Sequence, residues 1–90
     1  MKFYVLSINT ENAMRVLQRI ASVFSRHRIN IEQLNVFATP CNDISHFSIA
    51  VYSEEIPMNK LVKQLSNIVE LIDIKVEYKM SLPENTAQNN

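Results

Sequence analysis

A helix pattern and a strand pattern follow each other between Val16 and Val36 with almost no linking residues. The first half repeats apolar residues at helical spacing and places polar residues on the other side. The apolar positions are Ala13, Val16, Leu17, Ile20, Val23 and Phe24, and the polar ones are Gln18, Arg19, Ser22 and Arg26. From Ile29 the apolar residues are mostly β-branched and interleave with polar ones, which is typical of a strand. We therefore expect a helix that runs to about Arg28 and a strand directly after it.

The segments on either side of this run predict four further elements. The nearly all-apolar residues 3–8 indicate a central strand, and Asn12 is the expected N-cap of the first helix. A turn cluster at 39–43 precedes a strand at 44–52, which we expect to form a hairpin with the strand before it. Acidic residues and a proline at 53–57 then indicate a helix entry.

The last two elements are predicted from their periodicity. The second helix should bury one apolar stripe, formed by Met58, Leu61, Val62, Leu65 and Ile68. The final strand alternates Ile72, Ile74, Val76 and Tyr78 with Asp73, Lys75, Glu77 and Lys79. Such clean alternation is typical of a half-exposed strand at a sheet edge.

The order strand, helix, strand, strand, helix, strand predicts an α+β, ferredoxin-like βαββαβ sandwich. Its four-stranded antiparallel sheet carries both helices on one face. We expect one domain over residues 1–80 and a disordered tail over 81–90, which has little apolar content. The sequence contains no glycine, so Asn and Asp are expected wherever the backbone needs a positive φ.

Composition narrows the classes of function. The formal net charge is zero, so the basic footprint of a nucleic-acid-binding protein is missing. The first apolar run is too short for a signal peptide or a membrane span. The single cysteine, Cys41, cannot form an internal disulfide, which fits a reducing compartment. These features predict a cytoplasmic protein that binds neither nucleic acid nor membrane.

No catalytic or metal-binding constellation is evident. His27 and His46 have no neighbouring carboxylate or cysteine pattern, and Cys41 has no adjacent base, so all three are interpreted as structural or surface residues. RNA-recognition modules share the predicted element order, but their basic-Gly-aromatic signature is missing. Acylphosphatases need a Gly-rich phosphate loop, and heavy-metal-binding domains need paired cysteines, neither of which this chain has.

The connection between the first strand and the first helix is the best candidate for a ligand site. The first turn of a helix offers unpaired N–H groups and the positive end of a dipole, which suit a small carboxylate such as that of an amino acid. The alternative is that Asn12 only caps its helix and Asn30 only supplies a left-handed residue at the helix-to-strand turn.

Two segments carry a family resemblance. Residues 17–26 followed by Asn30-Ile31-Glu32-Gln33-Leu34-Asn35-Val36 resemble the ACT domain of the small, regulatory subunit of acetolactate synthase (acetohydroxyacid synthase). That family has a helix ending Leu-Phe-x-Arg-Arg-Gly and then Asn-Ile-Glu-Ser-Leu-x-Val. The match extends from about Phe3 to Tyr78, and residues 64–71 look like the Gln-Leu-x-Lys-Leu-x-Asp-Val segment before the fourth strand.

The resemblance implies a non-catalytic regulatory subunit that forms a homodimer and activates a catalytic subunit. The thiamine diphosphate chemistry would belong to that partner, and this chain would need no cofactor of its own. The resemblance also implies a branched-chain amino acid effector, usually valine and otherwise leucine or isoleucine, at the dimer interface. Carried over residue by residue, the effector contacts are Asn12, Arg15, Val16, Leu17, Asn30 and Ile31.

The chain departs from the family pattern at two glycine positions, which Arg15 and Arg28 occupy. At the first of these, an arginine side chain can fill the space of a ligand or pair with its carboxylate. Many family members also have a second, C-terminal domain, so this sequence resembles the short single-domain subunits or a truncated form. The alternatives to a synthase subunit are a free-standing ACT-type amino-acid sensor and a small ferredoxin-like enzyme such as an acylphosphatase.

Overall fold

The predicted order of elements is confirmed by a computed structural model. It describes residues 1–11, 13–40 and 43–81, with the backbone alone for 78–81. The elements are β1 (Lys2–Glu11), α1 (Ala13–Arg26), β2 (Ile31–Ala38), β3 (Ile44–Ser53), α2 (Glu55–Leu65) and β4 (Leu71–Ser81). β4 extends one residue into the expected tail. Some of the features predicted above lie outside the described residues: the rest of that tail, Cys41, and Asn12, which is the expected N-cap.

The four strands form one antiparallel sheet in the order β2-β3-β1-β4. β1 is central, as its apolar sequence predicts, and β2 and β3 form the expected hairpin. β4 is an edge strand, as its alternation predicts, and β2 is the other edge. The structure is therefore the predicted α+β, ferredoxin-like sandwich with both helices on one face of the sheet.

The hydrophobic core lies between that face and the helices. The alternating residues Leu6 and Ile8 of β1 and Phe47, Ile49 and Val51 of β3 are all fully buried. On the other side of the core, the helices contribute the buried residues Val16, Ile20, Val23, Phe24, Met58, Leu61 and Leu65. Alternate residues of the strands thus pack against every third or fourth residue of the helices in a single layer of side chains.

A β-bulge explains why the apolar residues of β2 do not alternate regularly. The register with β3 shifts between Ile31 and Gln33, so Glu32 has no partner. Because of this extra residue, Leu34 lies opposite the core residue Ile49 and points to the helix side, as Ile31 does. The helices do not cover this strand, however, and Leu34 remains 39% exposed.

A second bulge corrects one expectation for β4. Thr10 pairs with Leu71 and Asn9 pairs with Asp73, so Ile72 has no partner on β1. Ile72 is 47% exposed, whereas Ile74 further along the strand packs against the core. The alternation of the sequence therefore predicts the buried face of β4 only beyond this bulge.

Two expectations for the helices are also corrected. Leu17 fits the helical apolar spacing but is 39% exposed, because it lies on the side of α1 opposite Arg19, which pairs with Glu70 in the turn after α2. Ile68 packs against the core from the turn after α2, since that helix ends at Leu65. The apolar spacing identifies core residues here but not the last residue of the helix.

The junction between α1 and β2 differs from the expectation as well. α1 ends at Arg26, and the Ile29 N–H donates to the Phe24 carbonyl while the Arg28 N–H donates to the Ser25 carbonyl, both at 3.1 Å. This pair of hydrogen bonds is a Schellman motif, and the buried side chains of Phe24 and Ile29 supply its usual hydrophobic contact. Arg28 holds the left-handed position of this turn at φ 58°, and Asp43 is also left-handed, at φ 63°.

Arg28→Gly is expected to stabilise the domain by about 0.5–1 kcal/mol, because a Cβ is unfavourable in the left-handed region and glycine relieves it. Chemical denaturation followed by circular dichroism measures the difference. Arg26→Gly is the matched control, since it removes the same charge inside the helix and should destabilise by about 1 kcal/mol. Equal destabilisation by both substitutions would contradict the assignment of strain to Arg28.

Candidate functional site

The connection from β1 to α1 is held in place by the turn before β4. β1 ends at Glu11 and α1 begins at Ala13, so only Asn12, which is outside the described residues, separates them. The Glu11 N–H donates to the Glu70 carbonyl at 2.9 Å, and Arg19 Nη1 donates to Glu70 Oε1 at 2.8 Å. Glu70 therefore joins the end of β1 to the middle of α1, beside the unpaired N–H groups of the first helical turn.

The three predicted site residues of α1 have different exposures. Arg15 is exposed in the first turn, where its guanidinium is free to reach a carboxylate over the helix N-terminus. The side chain of Val16 is fully buried in the core, so only the backbone atoms of this residue can contact a ligand. Leu17 is 39% exposed and lies on the side of α1 away from Arg19.

The other two predicted site residues lie between α1 and β2 and at the start of β2. Asn30 is exposed, and Ile31 is half-buried against the core. The expectation that Asn30 supplies the left-handed residue of this turn is wrong, because Arg28 does so. The Asn30 side chain is therefore not explained by the backbone geometry of the turn.

The two halves of the predicted site lie at opposite ends of the sheet. Ile31 is opposite Val51, which is opposite Tyr4 near the start of β1, whereas the β1–α1 connection follows Glu11 at the other end. The length of α1 alone, 14 residues, separates the two ends by about 21 Å. One copy of the chain does not bring Arg15 and Asn30 together.

A row of polar and aromatic side chains crosses the open face of the sheet, the face without helices. Asn9 Nδ2 donates to Asp73 Oδ1 at 3.0 Å, and Asn9 Oδ1 lies 2.9 Å from His46 Nδ1. Since a carboxylate only accepts, the Asn9 amide orientation is fixed and His46 Nδ1 must be the donor. The His46 ring stacks on Phe37 at 5.6 Å, so the row links all four strands. This arrangement gives His46 a cross-strand structural role.

A shallow groove of about 320 Å³ also lies on the open face. Its lining residues are Phe3, Glu32, Gln33, Ala50 and Tyr52, none of which belongs to the predicted effector site. Within residues 1–11, 13–40 and 43–81, no three His, Cys, Asp or Glu side chains come close enough to hold a metal ion. No helix in this part of the chain is long and apolar enough to cross a membrane.

The fold defines the chain as an ACT-type domain. The ACT domain of GTP pyrophosphokinase from Chlorobium tepidum superposes on 84% of this chain and 97% of its own with a TM-score of 0.71, at 14% identity, which is a likeness of fold alone. A closer likeness in sequence is that of the acetolactate synthase small subunit from Thermotoga maritima. It covers 93% of this chain and 51% of its own, with a TM-score of 0.72 and 25% identity.

The sequence comparison identifies the family. Residues 6–73 match the AHAS small subunit-like ACT domain, and the chain belongs to that family. The acetolactate synthase small subunit of Mycobacterium bovis is 41% identical over 73 residues, which is 81% of this chain and 44% of that protein. A probable acetolactate synthase small subunit from Archaeoglobus fulgidus is 32% identical over 71 residues, 79% of this chain and 45% of that protein. The chain thus spans less than half the length of these relatives.

Proposed function

We propose that the chain is a non-catalytic regulatory subunit that binds an acetolactate synthase catalytic subunit and activates it. The observation that carries this proposal is the family match over residues 6–73, together with 41% identity to an acetolactate synthase small subunit. In this role the thiamine diphosphate chemistry takes place in the catalytic subunit. The regulatory chain contributes binding free energy that favours an active conformation of its partner.

The edge strand β2 supports the proposal of a homodimer. Its outer backbone groups have no strand partner among the described residues, and such an edge readily pairs with a second chain. Leu34 and Val36 on the helix side of this edge are 39% and 43% exposed. Antiparallel pairing of two β2 strands about a two-fold axis buries these apolar side chains and continues the sheet.

The same pairing accounts for the separation of the predicted effector contacts. In an antiparallel pair of β2 strands, the Ile31 end of one copy lies beside the Ala38 end of the other. Ala38 is at the end of the sheet where β1 leads into α1. Asn30 and Ile31 of one copy therefore approach the β1–α1 connection of the other, and we propose that a branched-chain amino acid binds there. Its carboxylate meets the first turn of α1.

Regulation of the synthase is tested by purifying the catalytic subunit of the same organism with and without this chain and measuring its turnover. We expect a stable complex and a turnover several-fold above that of the catalytic subunit alone. A complex with unchanged turnover contradicts activation. If no complex forms but an amino acid stabilises the isolated chain, the function is that of a free-standing amino-acid sensor.

Leu34→Asp is expected to weaken homodimerisation by at least about tenfold, since two carboxylates would face a desolvated interface across the two-fold axis. Light scattering over a concentration series measures the dissociation constant. Ile72→Asp, an equally drastic change at the exposed bulge of the opposite edge, should leave the dimer intact. Dimerisation lost through Ile72→Asp and retained through Leu34→Asp would assign the interface to β4 instead.

Arg15→Gly is expected to strengthen the response to valine, because it removes a side chain from the space above the helix N-terminus. The measurement is the rise in melting temperature at millimolar valine, relative to each protein without ligand. Arg26→Gly controls for glycine in α1 and for the lost charge at the other end of the helix. An unchanged or weaker response of Arg15→Gly contradicts the idea that the Arg15 side chain blocks the ligand. Such a result favours a pairing of Arg15 with the effector carboxylate.

A further inference from the structure

The chain is neutral as a whole, but its charges are unevenly distributed over the structure. α1 and the turn after it, residues 13–28, contain four arginines and no acidic residue. α2 contains two lysines, Lys60 and Lys63, and its one acidic residue is Glu55 in the first turn. The two helices together therefore carry a net positive charge.

The basic residues of α1 lie on one side of the helix. Arg15, Arg19 and Arg26 are separated by four and seven positions, which places them on one ridge. The ion pair from Arg19 to Glu70 shows that this ridge faces the turn that follows α2. All three arginines are exposed.

On α2, Lys60 and Lys63 are exposed on the side away from the buried residues Leu61 and Leu65. They stand on the same outer layer as the arginine ridge of α1, since the two helices pack side by side over one face of the sheet. We call the exposed side chains of Arg26, Lys60 and Lys63 the basic helix face.

The acidic side chains nearest to these helices are occupied elsewhere. Glu54 pairs with the N-terminal ammonium group, Glu55 pairs with Lys2, and Glu70 pairs with Arg19. In the part of the chain that the structure describes, no carboxylate lies within 4.0 Å of any side chain of the basic helix face. These three cations thus face solvent without a carboxylate partner.

The open face of the sheet has the opposite character. Glu32 lines its groove, and Asp73 and Glu77 lie on this face of β4, opposite Asn9 and Val5 of β1. Lys75 is the one cation among the described side chains of this face. The domain therefore presents a basic layer and an acidic layer on opposite sides.

Helix stability alone does not account for the basic layer. Arg26 and Lys63 lie in the last turns of their helices, where a cation interacts favourably with the helix dipole. Lys60, however, lies in the middle of α2, where the helix dipole does not favour a cation. An anionic partner gives these positions a common explanation.

Resting on the proposed function, we propose that the basic helix face docks onto an acidic surface of the acetolactate synthase catalytic subunit. Charge complementarity across such an interface steers association and fixes orientation. A nucleic acid is the less suitable anion, because the chain has no net charge and its opposite face is acidic. The helices also expose no aromatic side chain for base stacking, since Phe24 is buried in α1 and α2 has none.

The test measures the affinity of the full chain for the purified catalytic subunit by biolayer interferometry from 50 to 300 mM NaCl. The triple variant Arg26→Gln, Lys60→Gln, Lys63→Gln leaves Arg15 of the effector site intact. We expect about tenfold weaker binding at the lowest salt concentration and a shallower dependence of affinity on salt. The dimer and the melting temperature of the variant serve as checks that it is folded.

Lys75→Gln and Lys63→Gln form a matched pair, because each removes one exposed lysine charge, from the open face and from the basic helix face respectively. Only Lys63→Gln should weaken binding. An unchanged affinity and salt dependence of the triple variant, or an equal loss through Lys75→Gln, overturns the assignment of this face but leaves the proposed function standing.

Two further outcomes separate the surface from the function itself. A wild-type chain that does not bind the catalytic subunit at any salt concentration overturns both the proposed function and this surface. A double-stranded oligonucleotide serves as the second probe. The oligonucleotide could bind the wild-type chain as tightly as the catalytic subunit does. If the triple substitution then abolishes binding of the oligonucleotide but not of the catalytic subunit, the face is a nucleic-acid surface instead.

Discussion

The burial of one face of β1 and β3 beneath the two helices is the interaction on which the other features of the domain depend. Leu6, Ile8, Phe47 and Ile49 are fully buried there, so the register of the sheet is fixed by the need to keep them on one side. The helices cover the centre of the sheet and leave β2 with exposed apolar residues on the same face, Leu34 among them. The uncovered edge, and with it the proposed dimer, is a direct consequence of how far two helices can reach.

The short junction between α1 and β2 determines how the helix sits on that sheet. Its Schellman hydrogen bonds turn the chain through Arg28 and place Ile29 in the core beside Phe24. The buried contact outweighs the strain at Arg28, since burying an isoleucine side chain contributes about 2 kcal/mol and a left-handed non-glycine residue costs about 1–2 kcal/mol. The junction also leaves Asn30 exposed at the start of β2, where the proposed effector site needs it.

Sequence periodicity predicted the element order and, apart from Leu17, the core positions of α1, because each depends on neighbours a few residues apart. It did not predict the bulges at Glu32 and Ile72, which arise from register between distant strands. The pair Arg19–Glu70 and the row through Asn9 and His46 were missed for the same reason, since no local spacing relates their members. The family pattern identifies the residues at both ends of the candidate site. The distance between these two ends, however, depends on how the strands pair.

The proposed dimer and the basic helix face constrain each other. A two-fold axis that pairs two β2 strands within one continuous sheet runs perpendicular to that sheet, so both helix layers lie on the same side. The basic helix faces of the two copies then point in one direction, and the acidic open faces point in the other. A catalytic partner with an acidic surface meets two basic faces together, and the second contact forms at a high effective concentration once the first is made. An effector that changes the β2–β2 contact would alter the spacing of these faces, which couples amino-acid binding to the partner without any contact between the two ligands.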